Sequence, residues 1–175
     1  KVRAAFFDRD NTINFDRGYT AAPCDVKLCD RIIELMSKLS DLGFKLFVVS
    51  NQSGIGRGLY TENQMWEFHN NLKDHLAEFN VFIDDYRFCP HHPKEAFGWH
   101  LKDCTCRKPN PDMPLDLSRL WKIDLYRSLF FGDSESDYEC SKNIGTKFFK
   151  MNCNSNCDVE MLVDHYLRQE GLEQC

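Results

Sequence analysis

The 175-residue chain has no apolar run close to the roughly 20 residues that a membrane-spanning helix requires. It also lacks internal repeats, low-complexity tracts and a stretch typical of an interdomain linker. Positive charge is not in excess, because the chain has 22 Lys and Arg against 27 Asp and Glu and therefore a formal charge of −5. Without a broad positive field we expect neither nucleic-acid nor membrane binding. We predict a single domain over residues 1–175 that acts as a monomer. A small anionic substrate would need a local cluster of cations for its binding.

Disorder is excluded by composition, because 42% hydrophobic and 28% charged residues are ordinary values for a folded protein. The nine cysteines are an odd number in a chain larger than most disulfide scaffolds, and no charged-then-apolar leader opens it. We therefore expect a cytoplasmic protein with reduced thiols. Cys153 and Cys157 have no nearby Cys or His to complete a metal site and are expected to be free thiols. Four further cysteines receive no assignment: Cys24, Cys29, Cys140 and Cys175.

Short apolar runs alternate with helical patterns along the chain. The runs predict strands at 2–7, 44–49, 86–89, 128–131 and 146–149. Apolar residues at helical spacing predict helices near 30–42, 61–79, 115–121, 137–143 and 159–170, the second of which opens with a capping box at Thr61 and Gln64. This alternation is typical of an α/β protein with a Rossmann-like, mostly parallel sheet and helices on both faces.

Polar side chains directly follow three of these strands. Parallel sheets of this kind bind ligands at the carboxyl ends of their strands. The polar residues are Asp8, Asp10, Ser50, Asn51, Asp133 and Asp137. Because Asp8 and Asp10 are two residues apart on an extended segment, both can face one crevice. One carboxylate could then attack phosphorus while the other protonates the leaving oxygen. Asp133 could complete an oxygen cage for Mg²⁺, whose charge would offset the repulsion between a carboxylate and a phosphate.

Two close pairs of soft ligands indicate a structural Zn²⁺ site in a loop at about 89–107. The pairs are Cys89 with His91 and Cys104 with Cys106. His92 could replace His91, and the alternative to a metal site is a pair of buried thiols with exposed histidines. Arg107 and Lys108 directly follow the last ligand, so a bound metal would fix two cations near a phosphate site.

These motifs resemble, over nearly the whole chain, the haloacid dehalogenase superfamily of aspartate-nucleophile phosphatases. The four matching segments are 6–14, 48–54, 107–109 and 132–137. The resemblance implies that Asp8 is the nucleophile and Asp10 the general acid/base. It implies that Mg²⁺ is held by Asp8, the backbone carbonyl of Asp10 and Asp133. Ser50 and Lys108 would bind and neutralise the transferring phosphoryl oxygens.

Within this superfamily, segments 89–93 and 104–111 are most similar to the D-glycero-D-manno-heptose 1,7-bisphosphate 7-phosphatases, which are close cousins of the histidinol-phosphate phosphatases. The likeness implies a capless fold and hydrolysis of the C7 phosphate to heptose 1-phosphate, through an aspartyl phosphate, for nucleotide-activated heptose biosynthesis. It also implies a set of substrate-binding positions: Asp16, Arg17, Gly18, Tyr19, Asn51, Gln52, Ser53, Arg107 and Ser134.

Three residues depart from the usual motifs of this group. Asn11 stands in place of Gly, and Ser50 in place of Thr. Asn tolerates a left-handed backbone and Ser keeps the hydroxyl, so both changes preserve the expected roles. Ser134 stands in place of a Lys after the fourth-motif Asp, which removes a cation near the substrate and leaves the preferred anomer open.

Other functions are kept as alternatives. They are a histidinol-phosphate or other small phosphate-ester phosphatase, a zinc-stabilised binding module without turnover, and a nucleic-acid 3′-end phosphatase, which the acidic balance disfavours. The Gly-rich stretch 54–58, which carries Arg57, fits neither a P-loop nor a dinucleotide fingerprint. We expect it to be a mobile connector with no chemical role beyond shaping the pocket.

Overall fold

The computed structural model describes residues 1–153 and 158–171, and its strands form one parallel sheet. The strands are β1 (Arg3–Phe7), β2 (Phe44–Asn51), β3 (Asp85–Cys89), β4 (Leu129–Gly132) and β5 (Lys147–Lys150). Their order is β3-β2-β1-β4-β5, and every neighbouring pair is parallel. The predicted strand positions and the parallel sheet are confirmed, with strand ends shifted by two residues at most.

Helices cover both faces of the sheet, as the alternation predicts. They are α1 (Ile32–Asp41), α2 (Glu62–Ala77), α3 (Asp112–Trp121), α4 (Glu135–Ile144) and α5 (Val159–Gln169). The core residues of α1, α2 and α5 pack on one face, and those of α3 and α4 on the other. The capping box of α2 is present. Helix α3 begins three residues earlier than predicted, because Pro114 falls in its first turn, where a missing N–H costs no hydrogen bond. Among the described residues, no helix is both long and apolar enough to cross a membrane.

Strand β1 lies at the centre of the sheet and contributes to both hydrophobic layers. Ala4 and Phe6 face the layer of α3 and α4, and Ala5 and Phe7 face the opposite layer. Successive strand residues point to opposite faces, so burial on both sides accounts for the continuous apolar run in the sequence. All four side chains are fully buried. The carboxyl end of this rigid strand leads directly into Asp8.

One cysteine expectation is wrong, because Cys153 is joined to Cys29 by a disulfide with a Cα–Cα distance of 4.8 Å. The two cysteines are 124 residues apart in sequence. Both pack on the loop after β1, where Cys29 N–H donates to the Ile13 carbonyl (2.9 Å) and Cys153 N–H donates to the Asn11 carbonyl (3.0 Å). Spacing along the chain therefore could not reveal the pair. Cys24 and Cys140 are free thiols, and Cys157 and Cys175 lie outside the described residues.

Candidate active site

Three carboxylates meet at the carboxyl ends of β1 and β4. Oxygens of Asp8, Asp133 and Asp137 lie within 4.8 Å of one another. Asp137 enters from the first turn of α4, where its Oδ2 accepts hydrogen bonds from the backbone N–H (3.1 Å) and the hydroxyl (2.7 Å) of Ser134. A Cβ on Gly132 would lie 2.5 Å from the Asp137 side chain, so only glycine allows this approach. The predicted pairing of Asp8 with Asp133 is thus present. Asp137, which the sequence places at the strand end without a role, completes the group.

Lys108 is the ammonium group inside this cluster, and its side chain is only 2% exposed. Its Nζ donates to Oδ1 of Asp8 (2.8 Å) and to the carbonyl of Val49 (2.7 Å), and it pairs with Oδ1 of Asp137 at 2.6 Å. Burial opposes its charge, but Asp137 and Asp8 outweigh this effect and raise the pKa of Lys108. Burial raises the pKa of Asp8 well above its usual value, and it also raises the pKa of Asp133.

The cluster therefore has more negative than positive charge. Three carboxylates share a single ammonium at close range, and two of them are poorly stabilised as anions. A hard divalent cation with oxygen ligands would supply the missing charge, and Mg²⁺ is commonly held by one or two carboxylates plus substrate phosphate. The donor set of Asp8 and Asp133 fits that ion. Both oxygens of Asp137 are already engaged by Ser134 and Lys108.

Asp10 lies in a different environment, held by a buried arginine that the sequence analysis did not single out. Arg9 is fully buried and donates from Nε (2.7 Å) and Nη2 (3.1 Å) to the two carboxylate oxygens of Asp10. Arg9 also donates to the Thr20 carbonyl (3.0 Å) and lies over the Phe68 ring. Gln52 adds a bond from Nε2 to Asp10 at 3.0 Å. An arginine between two aspartates in a loop is usually exposed to solvent, so the sequence gives no indication that Arg9 is buried.

The segment that ends β2 organises the site through its side chains. The Ser50 hydroxyl is buried and accepts a hydrogen bond from Gln52 Nε2 at 2.7 Å. Asn51 accepts from the Lys108 N–H (3.0 Å) and donates to the Lys108 carbonyl (3.2 Å). Asn51 and Gln52 therefore position Lys108 and Asp10. Ser53 is buried in the same segment. Whether these four residues also touch substrate stays a prediction.

The predicted substrate loop follows Asp10 in the chain and is held by its own hydrogen bonds. Asn11 has a left-handed backbone, with φ of 58°, as expected for a residue replacing glycine. Its side chain accepts a hydrogen bond from the Asp16 N–H at 3.1 Å. Asp16 in turn accepts bonds from the backbone N–H (3.0 Å) and hydroxyl (2.5 Å) of Thr20, so its carboxylate stabilises the loop itself. The next three residues, Arg17, Gly18 and Tyr19, line a groove of about 760 Å³, which is not lined by the carboxylates or the ammonium of the cluster.

The predicted zinc ligands come together. Ligand atoms of Cys89, His91, Cys104 and Cys106 lie within 4.8 Å of one another. Nδ1 of His91 lies 3.5 Å from Sγ of Cys89 and 3.3 Å from Sγ of Cys106. His92 is not in this group, because its Nδ1 accepts two backbone N–H groups of its own turn. The hydrogen bond between Cys106 and Cys89 is the main reason that the pKa of Cys106 falls to about 5. Three thiols and one imidazole fit a closed tetrahedral Zn²⁺ site.

Two further predicted substrate residues lie beside these clusters. Arg107 donates from Nη1 to the His91 carbonyl at 3.4 Å, which ties it to the zinc loop. Ser134 is the N-cap of α4, and its hydroxyl accepts from the Asp137 N–H at 3.3 Å. This capping role is not among the roles expected of Ser134 from the sequence. Substrate contact by Arg107 and Ser134 stays a prediction.

The site contains the groups that phosphoryl transfer to a carboxylate requires. Asp8 stands at the end of a rigid strand beside a fixed ammonium and a fitting site for a divalent cation. Asp10 is a second carboxylate, oriented separately by Arg9 and Gln52. A nucleophile, charge stabilisation for phosphoryl oxygens and a separate proton-transfer group are the requirements of that chemistry.

Comparison with known proteins gives consistent findings. The family model described as polynucleotide kinase 3 phosphatase matches residues 3–160. The chain is 40% identical over 148 residues to the D-glycero-beta-D-manno-heptose-1,7-bisphosphate 7-phosphatase of Photorhabdus laumondii, covering 83% of this chain and 79% of that protein. It is 35% identical over 164 residues to the protein of the same name from Rhodopseudomonas palustris, covering 94% and 89%.

Solved structures share the fold. A structure from Mesorhizobium loti described as a HAD-like phosphatase has a TM-score of 0.87 at 27% identity, covering 99% of this chain and 88% of that chain. The D,D-heptose 1.7-bisphosphate phosphatase from B. bronchiseptica, complexed with magnesium and phosphate, has a TM-score of 0.81 at 22% identity, covering 96% and 99%.

Proposed function

Because the chain belongs to the polynucleotide kinase 3 phosphatase family of haloacid dehalogenase-type phosphatases, we propose that it removes the C7 phosphate of D-glycero-D-manno-heptose 1,7-bisphosphate. The chain is a phosphoric monoester hydrolase. The observation that carries the reaction is the cluster of Asp8, Lys108 and Asp133 at the carboxyl ends of β1 and β4. The names of relatives at 35–40% identity support the substrate. The product would be heptose 1-phosphate, a precursor for nucleotide-activated heptose.

In the proposed reaction Asp8 attacks the phosphorus of the C7 phosphate. An O–P bond forms to Asp8 Oδ as the bond to the sugar oxygen breaks, which leaves an aspartyl phosphate. Lys108 and the Ser50 hydroxyl bind the phosphoryl oxygens. Asp8, Asp133 and the Asp10 carbonyl would hold Mg²⁺, which supplies positive charge for the oxygens of the transferring group. Asp137 keeps Lys108 in place through their ion pair.

Asp10 supplies the proton in this proposal. It protonates the leaving sugar oxygen and later takes a proton from the water that hydrolyses the aspartyl phosphate. Arg9 and Gln52 hold the Asp10 carboxylate, so these two residues set its orientation. Gln52 Nε2 also donates to the Ser50 hydroxyl, so one amide group orients both the proposed proton-transfer carboxylate and a proposed phosphoryl-binding hydroxyl.

The sugar would be held by residues in the loops next to the Asp8, Lys108 and Asp133 cluster. We assign to it the segment Asp16, Arg17, Gly18 and Tyr19, together with Asn51, Gln52, Ser53, Arg107 and Ser134. Zn²⁺ held by the Cys₃His set would be structural, because a site with four protein ligands leaves no open position. It would fix the loop that carries Arg107 and Lys108.

We further propose that the protein acts as a monomer in the cytoplasm. All the proposed catalytic groups come from one chain, so no second copy is needed to complete the site. Thiolate-bound zinc suits a reducing interior compartment, in which the Cys29–Cys153 disulfide would be open to reduction.

The test is Mg²⁺-dependent phosphate release from both anomers of heptose 1,7-bisphosphate. Histidinol phosphate and a 3′-phosphorylated DNA oligonucleotide serve as competing substrates, the latter because the family model carries the name of a polynucleotide phosphatase. ³¹P NMR identifies which phosphate is lost. We expect a heptose anomer to give the highest kcat/KM and to lose its C7 phosphate. A higher kcat/KM for histidinol phosphate or for the DNA end would overturn the proposed substrate.

A further inference from the structure

Tyr60 is a buried phenol that is linked to the proposed proton-transfer group through one other side chain. It is 8% exposed and directly precedes α2 and its N-cap. Its hydroxyl donates a hydrogen bond to Oε1 of Gln52. The other end of the same amide, Nε2, donates to Oδ2 of Asp10 (3.0 Å) and to the Ser50 hydroxyl (2.7 Å). A single amide group therefore connects Tyr60 to Asp10.

The chemistry of these groups fixes the direction of each hydrogen bond. The Asp10 carboxylate, which is paired with Arg9, only accepts, so the end of the Gln52 amide that faces it must be the NH₂ group. The amide carbonyl then faces Tyr60 and also only accepts, so the phenol must donate. Burial raises the pKa of Tyr60, which keeps the phenol protonated and able to donate. Without this donor the amide could turn its carbonyl toward Asp10, where it would repel the carboxylate.

The place of the Tyr60 ring is set from both sides. A Cβ on Gly54 would collide with the ring, so any side chain at position 54 would have to displace it. The Gly54 carbonyl accepts a hydrogen bond from the Leu59 N–H at 2.9 Å, which closes the turn against the ring. On the other side, Thr61 begins the capping box of α2. The Gly-rich stretch is thus hydrogen-bonded and packed on Tyr60, whereas the sequence alone suggested a mobile connector.

We propose that Tyr60 is a positioning residue for proton transfer, which holds the Gln52 amide with its NH₂ group toward Asp10 and so keeps Asp10 aligned with the leaving oxygen. The inference rests on the proposed function, because it needs Asp10 as the general acid. As the O–P bond to Asp8 forms, the bond to the leaving oxygen breaks and that oxygen takes the proton of Asp10. Tyr60 keeps its own proton throughout. Because Arg9 also binds Asp10, we expect a partial loss of alignment without the phenol.

The test uses aryl phosphates of similar size whose leaving phenols differ in acidity: phenyl, 4-chlorophenyl and 4-nitrophenyl phosphate. Their kcat/KM reports the first phosphoryl transfer, in which nitrophenolate leaves without a proton and the more basic phenolate benefits from one. In Tyr60→Phe we expect kcat/KM to fall about fivefold for phenyl phosphate, the effect of one hydrogen bond, and to keep the wild-type value for 4-nitrophenyl phosphate. Asp10→Asn should show the same dependence on the phenol with larger losses. Tyr126→Phe, which removes an exposed phenol, is the control and should behave as wild type.

A double variant shows whether Tyr60 acts through the amide. If it does, Tyr60→Phe combined with Gln52→Leu should lose no more kcat/KM for phenyl phosphate than Gln52→Leu alone. Circular dichroism and melting curves check that each variant is folded. Additive losses in the double variant would overturn the inference. So would an equal loss for all three phosphates in Tyr60→Phe, which indicates a structural role, or no loss for any of them.

The inference and the proposed function can fail separately. Absence of heptose bisphosphate hydrolysis would overturn the proposed substrate without affecting the comparison of aryl phosphates. If Asp10→Asn shows no dependence on the leaving phenol, or if no aryl phosphate is hydrolysed, NMR decides the role of Tyr60. The side-chain amide signals of Gln52 are identified by their absence in Gln52→Leu. Protection of these protons from exchange with water that is lost in Tyr60→Phe supports the orienting role, and protection unchanged in Tyr60→Phe overturns it.

Discussion

Lys108 shows how individual contacts set the electrostatics of the site. Its ammonium meets one carboxylate from the end of β1 and another from the first turn of α4, and Asn51 binds its backbone on both sides. Removing one member of a buried pair leaves an uncompensated charge, so such groups depend on one another. Asp137 and Asn51 therefore matter to phosphoryl binding without touching the phosphoryl group in our proposal.

His69 gives a prediction about pH and stability. It is buried against the rings of Tyr86 and Trp66, and burial, followed by Lys73 and Arg9, lowers its pKa to about 3. The unfolded chain titrates near its usual value of about 6.5. Between these values the unfolded state binds a proton that the folded state does not, so stability is lost as pH falls below about 6.5.

His69→Phe should remove that dependence. The free energy of unfolding of the wild type, measured by urea titration, should fall relative to that of the variant between pH 6.5 and 4. The expected slope approaches about 1.4 kcal/mol per pH unit below pH 5.5. Parallel curves for the two proteins would show that His69 is protonated in the folded state.

At the scale of elements, the zinc loop is the segment whose order we expect to depend on a ligand. Its ligands lie at the end of β3 and just before Arg107 and Lys108. Removing Zn²⁺ by chelation, then restoring Mg²⁺ in excess, should lower kcat/KM, because Lys108 loses its fixed neighbours. Adding Zn²⁺ back should restore activity. A sample verified as zinc-free by elemental analysis yet fully active would refute the coupling.

The disulfide joins two elements that are distant in sequence. Cys29 precedes α1 and Cys153 follows β5, and both bind the backbone of the loop after β1. A cross-link between residues 124 apart reduces the conformational entropy of the unfolded chain. In the chain-entropy description this raises the free energy of unfolding by up to about 5 kcal/mol. Cys29→Ser should therefore lower the free energy of unfolding measured without reductant.

Reduction of the disulfide in the wild-type protein can be compared directly with its removal in Cys29→Ser. A phosphine reductant should destabilise the wild type to the level of Cys29→Ser and leave that variant unchanged. Cys24→Ser, which removes an exposed free thiol, is the control and should unfold like the wild type. Equal stability of wild type and Cys29→Ser in the absence of reductant would mean that the bond does not form in solution.

For the molecule as a whole, the sequence predicted what depends on local patterns. Apolar runs located the five strands of the described sheet, and the spacing of Cys89, His91, Cys104 and Cys106 located the metal-ligand group. Contacts between distant segments carried no local signal. The disulfide, the burial of Arg9 and the pairing of Lys108 with Asp137 arise only when the sheet brings separate loops together.

The charge of the whole molecule is consistent with the expected local cluster of cations. The chain has a net charge of −5, yet Lys108 and Arg9 are buried beside the carboxylates that we propose as catalytic, and Arg57 and Arg107 are only partly exposed. Because carboxylates outnumber the ammonium at the site itself, binding of an anion there depends on a divalent cation as well as on these four residues, and the acidic net charge disfavours a polyanionic strand. This distribution supports a sugar phosphate as the substrate.

The most direct test of the account is to locate the phosphoryl group during turnover. Heptose 1,7-bisphosphate labelled with ³²P at C7 is mixed with the enzyme and Mg²⁺ and quenched in acid within milliseconds, and the protein is reduced with borohydride and mapped by mass spectrometry. We predict protein-bound label that is lost on treatment with hydroxylamine, and homoserine at position 8. In Asp8→Asn, label and turnover should both be absent, whereas Asp41→Asn on the exposed end of α1 should behave as wild type. Label on another residue, or turnover by Asp8→Asn at the wild-type rate, would contradict the assignment of Asp8 as nucleophile.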